Sequence, residues 1–437
     1  MGVSADSVRL AIAPEATPGV IAAAPAFKVV RATGEGVSFA YESTTSNELG
    51  GEGRGVRDSI LTGGAVTGPI NFELAKDAAF EDMIAAVFGS AWGADPLAIG
   101  AGPDTLYVSD TLKTFTFEKR WNMGAGAPDP FLYHRYLGVV PDTASLTITP
   151  NQPITGSIGF VGASFANDNA EAAGATYVQP STTPVMTAPL VRGISMKDSE
   201  GATVFDIGTA CWTNLAVNFA SNTRNVPCIG TLGSRESVLG RFEATIDYSV
   251  YFSSDFLVDA LVAQEDFALE VTLEDALGNS YLLTFPRVRI STAETVAGGS
   301  GQDVVVSGQM VALVGVAPDV YSARIDRTVA VGGGPLPLAV SAAGAGPAST
   351  EVTITFSEGP ATVAQVSADI SLTADGGASV DFNVPISEGD TAADVASAVA
   401  AAIDVDAGFV ASAVGGTVTV TPEGGATNIT AASAAIS

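Results

Sequence analysis

The sequence predicts a mainly β protein: two tandem β-sandwich or barrel units, each with one flanking helix, followed by a small β-rich α+β domain. Three observations carry that prediction. Apolar and polar residues alternate over several short stretches, the period of a half-buried strand. With 48 Gly and 23 Pro against only 15% charged residues, the chain is rich in turns and poor in helix-forming side chains. Finally, segments recur in fixed order. Residues 37–47 (VSFAYESTTSN) return at 215–225 (LAVNFASNTRN), 70–74 (INFEL) at 246–250 (IDYSV), and 154–160 (ITGSIGF) at 304–310 (VVVSGQM). Such ordered self-similarity marks a duplicated structural unit.

Along the chain, residues 1–26 are rich in Ala and Pro and read as an extended N-terminal arm. The first unit spans 27–184. Val37, Phe39 and Tyr41 alternate with Ser38, Ala40 and Glu42 in its opening strand. A polar loop over 43–59 leads to a second strand, in which Ile70, Phe72 and Leu74 alternate with Asn71 and Glu73. Asp77 stands as the N-cap of a helix over 78–88 whose Phe80, Met83, Ile84 and Val87 share one face, and Gly89 ends it. Residues 114–121 alternate again, and 145–149 pairs with 154–161 across Pro150-Asn151-Gln152-Pro153. The second unit, 185–331, repeats this order with its polar loop at 221–237 and its helix over 255–262. Residues 332–349 read as an Ala/Gly/Pro linker. The last domain, 350–437, has strands at 352–356, 370–373 and 379–384, a helix over 392–403 capped by Thr391, and a closing hairpin through Gly415-Gly416.

A net charge of −28 with only 19 Lys and Arg argues against a protein that grips nucleic acid or an anionic membrane surface. It is compatible with an acidic surface past which DNA slides without sticking. No basic flank followed by an apolar stretch opens the chain, and no apolar run reaches the ~18 residues of a membrane span, so an unprocessed, cytosolic product is expected.

Residue patterns that carry chemistry are sparse. His134 is the single histidine, set in an aromatic strand-like run (FLYHRY), and reads as a packing or interface residue. The glycine-rich 50–55 lacks the Lys-Ser/Thr of a phosphate loop and reads as an interaction loop, while 404–408 (DVDAG) lacks the later ligands of a calcium loop. Cys211 and Cys228 fit neither a zinc site nor a disulfide framework and are expected in the core as thiols. No enzyme, metal or cofactor is therefore expected.

Several ordered segments do resemble a known family. Gly36 to Phe39, Glu42 to Glu48, 60–63 (ILTG), 68–74, Phe117-Glu118-Lys119-Arg120 and the hairpin over 145–162 resemble tail tube proteins of long-tailed bacteriophages, over about residues 27–317. The resemblance implies that strands join neighbouring subunits into a ring-shaped barrel around a channel, and that rings stack into the tube through which DNA leaves the capsid. Six units per ring in the family imply, for a chain of two units, a homotrimer with pseudo-sixfold symmetry. Also implied are contacts with tape measure, tail tip and tail terminator proteins, a virion location after assembly in the host cytoplasm, and a non-contractile tail decorated by the C-terminal domain. Strand alternation then makes Glu42, Asn71, Glu73, Asp247 and Ser249 candidates for the channel wall, with an ordinary outer surface as the other reading. Arg54, Arg57, Arg224 and Arg235, on the two polar loops, are candidates for contacts with the adjacent ring, against a reading as solvated loop charges. A cell-surface β-sandwich protein that binds carbohydrate is the rival class, and would call for a secretion signal.

Overall fold

The computed structural model describes residues 4–48, 56–98, 102, 104–124, 127–198, 200–208, 210–297, 299–301, 303–328, 339–343, 352–357, 367–374, 380–385, 392–403, 409–414, 417–422 and 429–436. The chain divides into two compact units, residues 1–275 with 280–328, and residues 276–279 with 329–437. As predicted, it is mainly β.

In the larger unit the first copy comprises β1 (Arg9–Pro14), β2 (Ala26–Val29), β3 (Gly34–Glu35), β4 (Ser38–Thr45), β5 (Ser59–Glu73), α1 (Ala78–Val87), β6 (Thr105–Tyr107), β7 (Phe115–Asn122), β8 (Phe131–Ile148), β9 (Thr155–Gly162), β10 (Ser164–Asp168) and β11 (Thr176–Val178). The second comprises β12 (Val191–Lys197), β13 (Thr203–Asp206), β14 (Trp212–Ala220), β15 (Arg224–Pro227), β16 (Ser234–Val238), β17 (Glu243–Tyr251), α2 (Phe256–Ala263), β18 (Asp266–Glu274), β19 (Ser280–Ala297), β20 (Val304–Ala312) and β21 (Arg324–Thr328).

Each copy has two layers, and one long strand runs through both. The first half of β8 pairs with β7 and β10, its second half with β9 and β14. In the same way β19 passes from β18 and β21 to β20. The change of layer is made by register slips, which bend a strand locally. The β7·β8 ladder slips between Phe115 and Phe117, and β18·β19 between Phe267 and Leu269. A further slip falls between Pro141 and Thr143 in β8 and between Ile290 and Thr292 in β19. At the first of these bends Gly138 takes a positive φ of 63°, open to glycine at no steric cost. The duplication thus extends to the irregularities of the ladders.

The ladders also correct the alignment of the repeats. The row Ser38, Thr67, Val161, Val140 in the first copy corresponds to Asn218, Thr245, Val311, Arg289 in the second. Val37 therefore matches Val217 and not Leu215, and Ile70 matches Tyr248 and not Ile246. Both shifts are by two residues, which keeps every side chain on its own face of the sheet.

The copies are fused into one antiparallel sheet in the order β4-β5-β9-β8-β14-β17-β20-β19. The seam between them is β8·β14, from Leu215 opposite Ile148 to Ala220 opposite Thr143. Across this sheet the row Phe72, Gly156, Leu146, Val217, Ile246, Met310, Ile290 faces the core, and its six side chains are all buried. Fully burying one such side chain contributes about 1.5–3 kcal/mol. A single hydrophobic cluster runs through both copies.

The helix begins where the sequence places it. The Asp77 side chain accepts from the Ala79 amide at 2.9 Å, and Gly89, at φ 58°, ends the helix. Copy 2 covers much of α1: Phe88 packs on Phe219 and Phe242, and Phe80 on Tyr281. β6 crosses in the other direction to pair with β21.

Four expectations are corrected. The N-terminal arm contains a strand, β1, that pairs with β7 and buries Leu10, Ala11, Ile12 and Ala13. The 221–237 loop folds into the two-stranded ribbon β15/β16. Within the presumed linker, Ala339–Ala343 is a strand paired with Val352–Ser357. Cys211 is exposed and Cys228 partly so, where core positions were expected.

Among the described residues the smaller unit contains two sheets, one of four strands and one of three, and the helix Ala392–Ile403. Val395, Ala396, Val399 and Ile403 of that helix are buried in a core with Ile370, Leu372, Phe409, Val418 and Val420.

Candidate functional site

No cluster of metal-ligating residues occurs among the described residues. One depression is lined mostly by apolar side chains, among them Ile148, Val191, Ile194 and Leu215, with Asn151, Asn214 and the Cys211 thiol as its polar groups. His134 sits edge-on to Trp121 and Phe165, at 5.7 and 5.3 Å between ring centroids. Partial burial, helped by the Lys119 ammonium, lowers its pKa from the usual 6.5. It meets the sequence reading of a packing residue.

The features that distinguish this surface are a polar sheet face and two open sheet edges. Next to the apolar row lies the row Glu73, Thr155, Thr147, Ala216, Asp247, Gln309, Thr292, pointing the other way. Glu73 and Asn71 are exposed, Asp247 and Ser249 half-buried. Asp247 accepts from the Asn218 and Gln309 amides, both at 2.8 Å, so its carboxylate is fixed between strands. The Ser249 and Ser307 hydroxyls are 3.0 Å apart. By strand alternation all five candidate wall residues share one face of the fused sheet. Glu42 lies apart, on the exposed end of the β4/β5 hairpin opposite Gly63.

Of the four arginines, Arg54 lies outside the described residues. Arg57 is exposed just before β5, and Arg224 and Arg235 are exposed on the β15/β16 ribbon. The ribbon rests on the first copy: Asn225 Nδ2 donates to the Gly162 carbonyl and the Ser234 amide to the Ala163 carbonyl, each at 3.2 Å. At its tip, Ile229 is fully exposed.

Two ionic clusters were not foreseen from sequence. Glu118, wholly buried, accepts from Arg135 Nε at 2.9 Å, Tyr177 Oη at 2.8 Å and Arg9 at 3.2 Å. Burial, then the Glu118 carboxylate, pushes the Tyr177 phenol well up. Glu81 of α1 accepts from Lys76 at 3.1 Å and, from copy 2, Tyr281 Oη at 3.1 Å and Arg327 at 2.5 Å. This second cluster clamps the copies together. Glu118 belongs to the run Phe117-Glu118-Lys119-Arg120, and no local pattern in that run marks it as the buried charge.

The outer edge of β19 from Thr292 to Ala297, and that of β4, have no partner strand among the described residues. These are the two ends of the fused sheet. A family model described as phage tail tube protein matches residues 5–313 of the chain. No curated protein matches it.

Proposed function

We infer, since the chain belongs to the phage tail tube protein family, that its role is structural, as a subunit that self-assembles into the tube of the virion tail, and we propose that it does so as stacked rings enclosing a channel for DNA. The observation that carries the finer reading is the fused sheet, which runs through both copies and ends in an open strand on either side. Sheets with open edges recruit further strands unless they are covered, and closure into a barrel removes the edges. Three chains, each supplying two copies, close a ring of pseudo-sixfold symmetry.

In this reading the polar face carrying Asn71, Glu73, Asp247 and Ser249 turns to the channel. The apolar face turns outward, against the helices. Carboxylates there repel the phosphate backbone, so DNA passes without adhering. Arg57, Arg224 and Arg235 reach the neighbouring ring and meet its carboxylates, and the tape measure, tip and terminator proteins contact the tube from within or at its ends.

Electron microscopy of the full-length protein tests this reading. Rings of three chains around an open channel are expected, and Arg57→Glu with Arg235→Glu is expected to shorten the stacks while leaving single rings. Rings of six chains, or a protein that never assembles in the presence of tail initiator, would overturn the trimeric reading.

A further inference from the structure

The chain contains one finished seam, β8·β14, and the two halves of another. The equivalences set by the ladders make β19 the counterpart of β8, and β3 with β4 the counterpart of β14. In β8, Ala144, Leu146 and Ile148 are buried at 2, 5 and 8% exposure, because β14 and the core of the second copy cover them. Their counterparts in β19 are Ala293, half-buried, and Thr295 and Ala297, both exposed. On the other side, Phe219 is buried, while its counterpart Phe39 is only half-buried. Segment 291–297 carries a single charge, Glu294, and no Pro or Lys that would protect an open edge.

A second observation points the same way. Where the β15/β16 ribbon is seated on Gly162 and Ala163, the corresponding residues of the second copy are Ala312 and Leu313, with Val314 beside them 57% exposed. The hairpin that matches the ribbon is the end of β4/β5, and it holds Tyr41, Ile60 and Leu61 in solvent at 58, 49 and 46% exposure. An unoccupied seat and an unseated hairpin thus accompany the two open edges.

We propose that a second copy of this chain docks head to tail across these edges in the register of the internal seam. Thr292 lies opposite Ala40 of the neighbour, Ala293 opposite Phe39, Glu294 opposite Ser38 and Ala297 opposite Glu35. The neighbour's β4/β5 hairpin settles over Ala312 and Leu313. This rests on the ring reading above and adds its residue-level joint: the fold of one chain is the template for the contact between chains.

Disulfide trapping tests the register, with Cys211 and Cys228 first replaced by Ser. Thr143→Cys with Ala220→Cys is the internal control and should close an intramolecular disulfide. Thr292→Cys with Ala40→Cys should close disulfides between chains, giving dimers and higher species on non-reducing gels. Thr292→Cys with Glu42→Cys, displaced by two residues, should lose that product, because diagonal Cβ atoms stand too far apart for a disulfide. Rings seen by electron microscopy with no 292–40 product, or with more product from 292–42, would overturn the register and leave the ring reading standing. A chain that passes the internal control yet sediments as a monomer in the presence of tail initiator would overturn both.

Discussion

The two helices of the larger unit occupy the same place in the two copies and live in different surroundings. Counted from their N-cap aspartates, Asp77 and Asp255, Ile84 in α1 and Val262 in α2 stand at the same position. Ile84 is 1% exposed and Val262 79%. Asp77 caps its helix and also accepts from the Ser181 amide, whereas Asp255 makes no side-chain cap. What separates them is succession: α1 is followed by another copy that covers it, and α2 is the last of its kind in the chain. The difference in burial between these equivalently placed helices therefore follows their position along the chain, alongside their different lengths and caps.

Substitution at the two positions should break this comparison most strongly. Ile84→Asp places a carboxylate among buried side chains, at a cost above about 4 kcal/mol, and should prevent folding. Val262→Asp should change stability of the isolated chain by no more than about 0.5 kcal/mol, while weakening assembly. Chemical denaturation and sedimentation read the two effects separately. Equal loss of stability at both positions would remove the distinction.

A smaller difference is expected in the layers that contain β7 and β18. Glu118 of β7 and Glu270 of β18 are equivalent by the shared slip, but Glu118 is wholly buried among Arg9, Arg135 and Tyr177 while Glu270 makes one half-exposed pair with Lys197 at 2.7 Å. Glu118→Ala removes the buried carboxylate and leaves Arg135 and Arg9 only their half-exposed partners Asp168 and Glu171, and should cost about 3 kcal/mol. Glu270→Ala should cost about 1 kcal/mol or less. Urea midpoints of the two variants check the contrast.

The smallest effect sharpens the comparison through pH. His134 of β8 corresponds to Leu283 of β19, so His134→Leu makes the first copy resemble the second. The folded-state pKa of His134 lies below 6.5 because of burial and Lys119. The unfolded chain therefore takes up the proton first, and stability falls as pH drops through about 6.5 until the folded imidazole also titrates. Thermal midpoints of the wild-type chain should show that decline, and those of His134→Leu should lack it.

Much of this fold was legible in the sequence because its strands bury one face only. Ile70, Phe72 and Leu74 announce their strand by alternating with Asn71 and Glu73, and α1 announces itself through Asp77, its apolar face and Gly89. β1 was not legible, because Leu10 and Ile12 join the main core while Ala11 and Ala13 pack on Phe27. A strand buried on both faces has no alternation to read. β8 was read in pieces because Gly138 and Pro141 look like breakers, yet they mark the bend of one continuous strand. The polar face could be anticipated residue by residue, but the seam could not. Nothing in 143–148 or 215–220 states that these strands meet, since pairing partners are chosen by tertiary closure and not by local pattern.

The uninterrupted passage of β8 and β19 through both layers has a consequence for how the molecule comes apart. The two layers of a copy are joined by one continuous strand, so neither can open to solvent while the other keeps its hydrogen bonds intact around the bend. Amide protection should rise and fall together in β7, β9, β18 and β20, and each copy should lose its structure as one cooperative block with no intermediate that sheds a single layer.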